Sequence, residues 1–203
     1  MAKNSTLFFL VVILFMILPC LSAVNLILNG GFENNIAGTQ LPQYWGFTGG
    51  TPANSYVRND SYGINGNYYY LNDVPGPQPT LYQDVTIQSG ELLRLTGNYR
   101  TMVIGTYSNS FAIRFTNLLN SAVLETITYN PTGNSWGSFD ISRQFATTSL
   151  RVSFISQYGT DDDYAIDNIV LLSNASTVPE PSLLISFLAG ICFLAFFVRK
   201  SWK

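Results

Sequence analysis

From Val24 to Leu172 the apolar residues come in short runs, and none of them keeps a helical period over 11 residues. Tyr, Thr, Val, Ile and Phe gather in these runs. Clusters of Asn, Gly, Pro and Asp interrupt them about every ten residues. The pattern predicts strands over Tyr68 to Leu71, Phe111 to Phe115, Ala122 to Tyr129, Ser138 to Phe145, Ser149 to Ile155 and Tyr164 to Leu172. Leu81, Gln83, Val85 and Ile87 form one face of a further strand, with Tyr82, Asp84, Thr86 and Gln88 as its polar second face. After Ser89-Gly90 the chain continues as a strand from Glu91 to Thr101, and this turn signal predicts a hairpin. Short strands at even spacing predict an all-β sandwich over residues 24–173, in which Pro75-Gly76-Pro77-Gln78-Pro79 is a loop rather than a boundary.

The two ends follow different rules. Lys3 precedes an apolar stretch from Leu7 to Leu18, and Pro19, Cys20, Leu21, Ser22 and Ala23 follow it. That order predicts a secretory signal peptide over residues 1–23, cut after Ser22 or Ala23; an uncleaved anchor or a lipoprotein at Cys20 are the alternatives. At the other end Leu183 to Val198 is 16 residues without a charge, about 24 Å as a helix, so residues 183–203 predict one narrow membrane span with a basic tail. Arg199, Lys200 and Lys203 hold that tail in the cytoplasm and Trp202 fits the headgroup level, so the domain before the span faces outward.

A polar linker over residues 174–182 leads into the span and carries Val178, Pro179, Glu180, Pro181 and Ser182. Pro179 and Pro181 keep it extended and present the Glu180 carboxylate just outside the bilayer. Val-Pro-Glu-Pro-Ser, a short apolar span and a basic end together resemble the PEP-CTERM sorting domain of Gram-negative bacteria over residues 178–203. The resemblance implies that Pro179, Glu180 and Pro181 are the recognition signal for exosortase, a membrane-embedded transpeptidase-like enzyme. It also implies export through the translocon, a precursor in the inner membrane, and a destination at the cell surface or in an exopolysaccharide matrix. A plain tail anchor with a Pro-rich hinge is the alternative.

Charge and composition narrow the chemistry of the middle. Between residues 24 and 178 there are six Arg, no Lys and eleven acids, a net charge of −5, which disfavours nucleic acid and anionic membranes as partners. The chain has no His, which excludes His-dependent triads, His general bases and His-ligated metals. Cys20 and Cys192 both lie in the terminal apolar runs, so the middle has neither a disulfide nor a thiol nucleophile. All twelve Tyr fall in the middle, as expected of an aromatic, turn-dense extracellular β domain.

Asn25 to Glu33, followed by Pro42-Gln43-Tyr44-Trp45, resembles the first strand and loop of carbohydrate-binding modules of the galactose-binding-like jelly-roll superfamily. Leu81 to Val85, Gly90 to Arg100 and Tyr164 to Leu171 resemble their middle and last strands. The resemblance implies a jelly-roll β-sandwich and, in many such modules, a structural calcium ion. Glu33 and Asp167 stand at the matching positions, and two carboxylates with backbone carbonyls from Gly30-Gly31 would supply much of a six-to-eight oxygen shell. Hydrogen bonding of both carboxylates to loop amides is the alternative. Asp161-Asp162-Asp163 is a second oxygen cluster, read as a solvated loop.

Three functions stay open. Glycan binding wants exposed rings flanked by amides, carboxylates or Arg, and Trp45, Tyr56, Tyr68, Tyr70, Tyr107, Trp136 and Tyr158 are the candidates. Trp45 and Trp136, each in a Gly-flanked loop, are favoured, with Tyr68 and Tyr70 beside them; core packing is the alternative for each ring. A structural or adhesive matrix protein without a defined ligand is the second. The third, a glycosidase using two of Glu33, Glu91 and Glu125, lacks any feature that fixes their separation, so no catalytic residue is expected.

Overall fold

The computed structural model describes residues 23–50, 54–64, 66–72, 78–102, 110–131, 134–157 and 163–173. They belong to one compact unit, Ala23–Asn174, with its own core. The expected signal peptide, the linker with Pro179, Glu180 and Pro181, the span over 183–203, and Tyr107, Tyr158, Asp161 and Asp162 all lie outside the described residues. Among the described residues no helix is long and apolar enough to cross a membrane.

These residues form eleven strands: β1 (Val24–Asn25), β2 (Gly46–Thr48), β3 (Tyr56–Arg58), β4 (Tyr68–Leu71), β5 (Thr80–Thr86), β6 (Leu92–Thr101), β7 (Ser110–Asn117), β8 (Ala122–Tyr129), β9 (Gly137–Gln144), β10 (Ser149–Gln157) and β11 (Tyr164–Ser173). One sheet runs β3-β4-β11-β6-β9 with β1 added to β11; the other runs β2-β5-β10-β7-β8. All pairings are antiparallel, and the architecture is a jelly-roll β-sandwich. Period-two burial explains why these residues make strands. In β6, Leu93 and Leu95 are buried while Leu92 and Arg94 are exposed; in β5, Leu81, Gln83 and Val85 turn inward.

The inner faces meet in an aromatic core. Phe111 stacks on Phe154 at 6.2 Å and on Tyr99 at 5.7 Å, and Phe139 and Tyr164 lie against the same group. Each such pair contributes about 0.5–1.5 kcal/mol beyond the area it buries. Gln83 is the polar exception in this face. Its amide donates to the Leu28 carbonyl at 3.0 Å and accepts from the Leu28 amide at 2.8 Å, so a side chain closes the sheet edge there as a strand would.

One expectation is overturned. Ser89-Gly90 does not close a hairpin: β5 pairs with β2 and β10, whereas β6 pairs with β9 and β11 in the opposite sheet. Leu81 and Val85 of β5 and Leu93 and Leu95 of β6 all enter one core, and a crossing between sheets brings them to it from both sides. The left-handed Gly90, with φ of 79°, makes that crossing, and its amide donates to the Phe145 carbonyl at 2.9 Å.

Candidate functional site

The outer face of the six-stranded sheet follows from the same alternation. Val57 in β3, Tyr69 and Leu71 in β4, and Phe139 in β9 belong to the core, so Tyr56, Arg58, Tyr68 and Tyr70 turn outward. Register aligns them. Tyr56 lies opposite Tyr70, Tyr70 opposite Ala165, and Ala165 opposite Arg100, which makes one row across β3, β4, β11 and β6. Trp136 stands just before β9, whose first residue Gly137 pairs with Tyr99, and so continues the row beyond Arg100. Ala165 is the small member of the row, leaving room for the longer side chains around it.

An open groove of about 130 Å³ lies here, lined by Arg58, Tyr62, Tyr70, Arg100, Met102 and Asn134 among others. Tyr62, 46% exposed, forms its rim. Its carbonyl accepts the Trp136 indole N–H at 2.7 Å and Arg100 Nη1 at 3.1 Å, and the Arg100 guanidinium lies 4.9 Å from the centre of the Tyr62 ring. Trp136 stands edge-on to Tyr68, with centroids 6.0 Å apart and planes at 83°. Arg58 caps the Tyr70 ring at 5.1 Å.

Asp60 ties the rim together. Its Oδ1 accepts the Tyr62 amide at 2.9 Å and the Tyr68 hydroxyl at 2.9 Å, and its Oδ2 faces Arg58 at 2.6 Å. Burial works against the charged form of Asp60, yet the Tyr62 amide, the Tyr68 hydroxyl and Arg58 outweigh it and hold the carboxyl below its ordinary range. Burial and then Asp60 push the Tyr68 phenol up, and burial and then Asp163 push the Tyr70 phenol up. Both phenols therefore stay protonated donors at neutral pH, Tyr70 to the Asp163 carboxylate.

The four rings predicted from sequence separate. Tyr70 lines the groove, and Trp136 stands beside it, with its indole N–H on the carbonyl of the rim residue Tyr62. Tyr68 is fully buried beneath it and acts through its hydroxyl. Trp45 is corrected: it is only 4% exposed, packed 5.5 Å from Phe32 and 5.9 Å from Phe154, with its indole N–H on the Asn29 carbonyl at 3.2 Å. The cause is local. Tyr44 is left-handed, with φ of 73°, which reverses the expected arrangement by exposing Tyr44 and sending Trp45 inward. Tyr62, Arg100 and Asn134 carry the groove and were not singled out from sequence; the signal was only their place among Asn and Gly in loops or at a strand end.

Glu33 and Asp167 do come together. Tyr164 and Ile166 enter the core, so alternation along β11 puts Asp167 on the outer side, and a β-bulge follows it before Val170, where Asn168 takes φ of 54°. A β-carbon placed on Gly31 would lie 3.8 Å from Glu33 Cγ, 3.9 Å from Asn168 Oδ1 and 4.0 Å from Asp167 Oδ1, so three oxygen-bearing side chains surround that glycine. Burial, joined by the charge of Glu33, pushes the Asp167 carboxyl up to about 7 despite the Asn168 amide that it accepts at 2.7 Å. Glu33 Oε1 accepts the Asn67 amide at 2.9 Å, as a loop-amide role requires, while its charge reaches Asp167; two carboxylates and an amide oxygen around Gly31 are of the donor type that calcium takes. The remaining carboxylates are spread out. Among the described residues no group of three or more acidic, His or Cys side chains gathers. Glu91 accepts the Gln88 amide and the Ser173 hydroxyl, and Glu125 on β8 is paired with Arg143 at 2.8 Å.

No protein-family model matches the chain, and no curated protein does. Its fold is similar to that of several solved structures. Against TmCBM61 in complex with β-1,4-galactotriose the TM-score is 0.54 at 18% identity, over 74% of this chain and 99% of that one. A second carbohydrate-binding module, CBM4, gives 0.52 at 19% identity, over 72% of this chain and 99% of that one. The arabinose-bound α-L-arabinofuranosidase MgGH51 gives 0.58 at 11% identity, and there the chain spans only 26% of the other protein's length. Both modules are matched nearly end to end, so the described unit has the jelly-roll fold of a carbohydrate-binding module.

Proposed function

We propose that the unit binds glycan, without catalysis, in the groove on the outer face of the six-stranded sheet. The observation that carries this reading is the combination of the rings of Tyr62 and Tyr70 with guanidinium and amide groups of Arg58, Arg100 and Asn134 around one opening, with the half-exposed Trp136 bonded to the rim beside it. A sugar ring has apolar C–H faces edged by hydroxyls, so it needs both kinds of surface at once. At about 130 Å³ the groove is smaller than the roughly 300–1,000 Å³ of a pocket that engulfs its ligand, which fits a chain lying across the surface. The similarity of fold to carbohydrate-binding modules supports the same reading.

Two further parts belong to the proposal. Glu33, Asp167 and Asn168 hold a calcium ion, which when bound neutralises the paired carboxylates and ties the N-terminal loop to β11. The Pro179-Glu180-Pro181 signal, followed by an apolar run and a basic end, brings the chain to exosortase after export, and its destination is the cell surface or an exopolysaccharide matrix.

The test is an array of plant and bacterial oligosaccharides probed with the unit 23–174 and with Trp136→Ala. The expected result is retention of a defined subset of glycans by the parent, weakened about tenfold or more by the variant at unchanged melting temperature. Binding that survives Trp136→Ala in full would move the site elsewhere.

A further inference from the structure

The groove contains one positive charge that no carboxylate among the described residues answers. Among the described arginines, Arg58, Arg94, Arg143 and Arg151 each face a carboxylate at 2.6 to 2.8 Å. Arg100 faces none. Its contacts are the Tyr62 carbonyl and the Tyr62 ring, and its buried Nε has no acceptor. A guanidinium offers five N–H donors in a planar fork, and among the described residues most of that capacity of Arg100 meets no acceptor. Leaving such a group short of acceptors is costly unless a ligand supplies them. Of the neighbouring described charges, Arg58 is neutralised by Asp60, and the carboxylate of Asp163, which precedes β11 between the strands of Tyr70 and Arg100, accepts the Tyr70 hydroxyl.

Resting on the glycan-binding reading, we infer that the groove selects anionic sugars, with Arg100 holding the carboxylate of a uronate or a sulfate ester while Tyr62 and Trp136 take the ring. Two-pronged acceptors match the guanidinium fork, whereas a sugar hydroxyl gives it a single acceptor. With a net charge of −5 over residues 24–178, the unit as a whole repels polyanions, so recognition must come from a local site of this kind. Arg114 is the natural comparison: its Nε meets only Thr126 Oγ1, at 3.4 Å, on the other sheet and away from the groove.

The experiment measures affinity of the unit for pectate and alginate oligomers, for the same oligomers after chemical reduction of their carboxyl groups to primary alcohols, and for carrageenan oligomers as the sulfate arm. The variants are Arg100→Gln, Arg100→Lys and Arg114→Gln, each checked for an unchanged thermal transition. Preference for an acidic oligomer over its reduced form by about tenfold or more is expected, falling with added salt. Arg100→Gln should abolish that preference, Arg100→Lys should keep part of it, and Arg114→Gln should leave it intact. The uronate and sulfate arms then say which anion the site takes. Equal binding of acidic and reduced oligomers, with Trp136→Ala still weakening both, would overturn the selection for anions and leave the glycan reading standing. Binding of none of the oligomers, acidic, reduced or neutral, would overturn both. A preference that survives Arg100→Gln would overturn the role of Arg100.

Discussion

Asp60 shows how one side chain can set the geometry of a surface. Its two oxygens hold the Tyr62 amide, the Tyr68 hydroxyl and Arg58, so the ring that forms the groove rim is fixed by a carboxylate that must be ionised to accept all three. The folded unit holds this carboxyl below its ordinary range, which means that its contribution is present at neutral pH and is lost as the pH falls through the lowered value. Glycan affinity should therefore drop on acidification below the ordinary carboxylate range, and Asp60→Asn should show at pH 7 the weakened binding of the acidified parent, by about tenfold. Titration of both proteins at pH 7 and in acid checks it; an Asp60→Asn variant that binds like the parent at pH 7 would mean that Tyr62 is held in some other way. At this scale the sequence was least legible. Trp45 and Trp136 look alike in a list of aromatic residues beside glycines. They part company because the left-handed Tyr44 turns one of them into the core, and no propensity announces a positive φ at a tyrosine.

At the scale of elements the long strands were readable and the short ones were not. Tyr68–Leu71 and Ala122–Tyr129 coincide with the runs of β-forming residues, and β6, β9, β10 and β11 differ from expectation by one or two residues at an end. Gly46–Thr48 and Tyr56–Arg58 are three residues each, too brief to display a period of two, and they exist because β5 and β4 offer free edges. The false hairpin at Ser89-Gly90 has the same origin, since a turn signal gives a change of direction and not the sheet to which the next strand belongs. The bulge in β11 is the element with most consequence. It requires close packing inside, where Gly97 leaves room for Phe139 and Ile169. Outside, it brings Asn168 beside Asp167, whose carboxylate accepts the Asn168 amide. The acidic pair was legible from the resemblance; the bulge after Asp167 was not. Because the Asp167 carboxyl is pushed up to about 7, its own contribution to the stability of the cation-free unit is fully present below the ordinary carboxylate range and is lost as the pH rises through about 7. Calcium should reverse that loss at pH 7.5. At a hundredfold excess over Kd the gain is about 2.7 kcal/mol, or about 5–10 °C in Tm for a domain of this size. Thermal scans with calcium and with a chelator check this, and Asp167→Asn should melt at one temperature in both; a parent indifferent to calcium would leave Glu33 and Asp167 as a simple hydrogen-bonding pair.

For the whole molecule, charge distribution and end segments decide the role more than the fold does. A jelly roll with no His and no internal Cys can serve many purposes, and the proposed export rests on the order of Pro179, Glu180 and Pro181, an apolar run and a basic tail. Glu180→Ala should leave the precursor unprocessed in the inner membrane, as intact mass of the protein from membrane and surface fractions would reveal. Unchanged maturation of that variant would contradict sorting by exosortase. The concentration of Tyr in residues 24–178 and the absence of Lys there were visible at once; that four of the six arginines are spent on internal ion pairs, leaving Arg100 for the groove, needed three dimensions.

The central claim is that glycan meets the outer face of the six-stranded sheet at Trp136 and Tyr62. Unit 23–174 contains two tryptophans, Trp45 in the core and Trp136 at the groove, so its ¹⁵N–¹H correlation spectrum holds two indole signals that report on the two places separately. Titration with the tightest oligosaccharide from the array should move the Trp136 signal progressively and leave that of Trp45 in position. A Trp136 signal that stays fixed while the oligosaccharide binds would contradict the account.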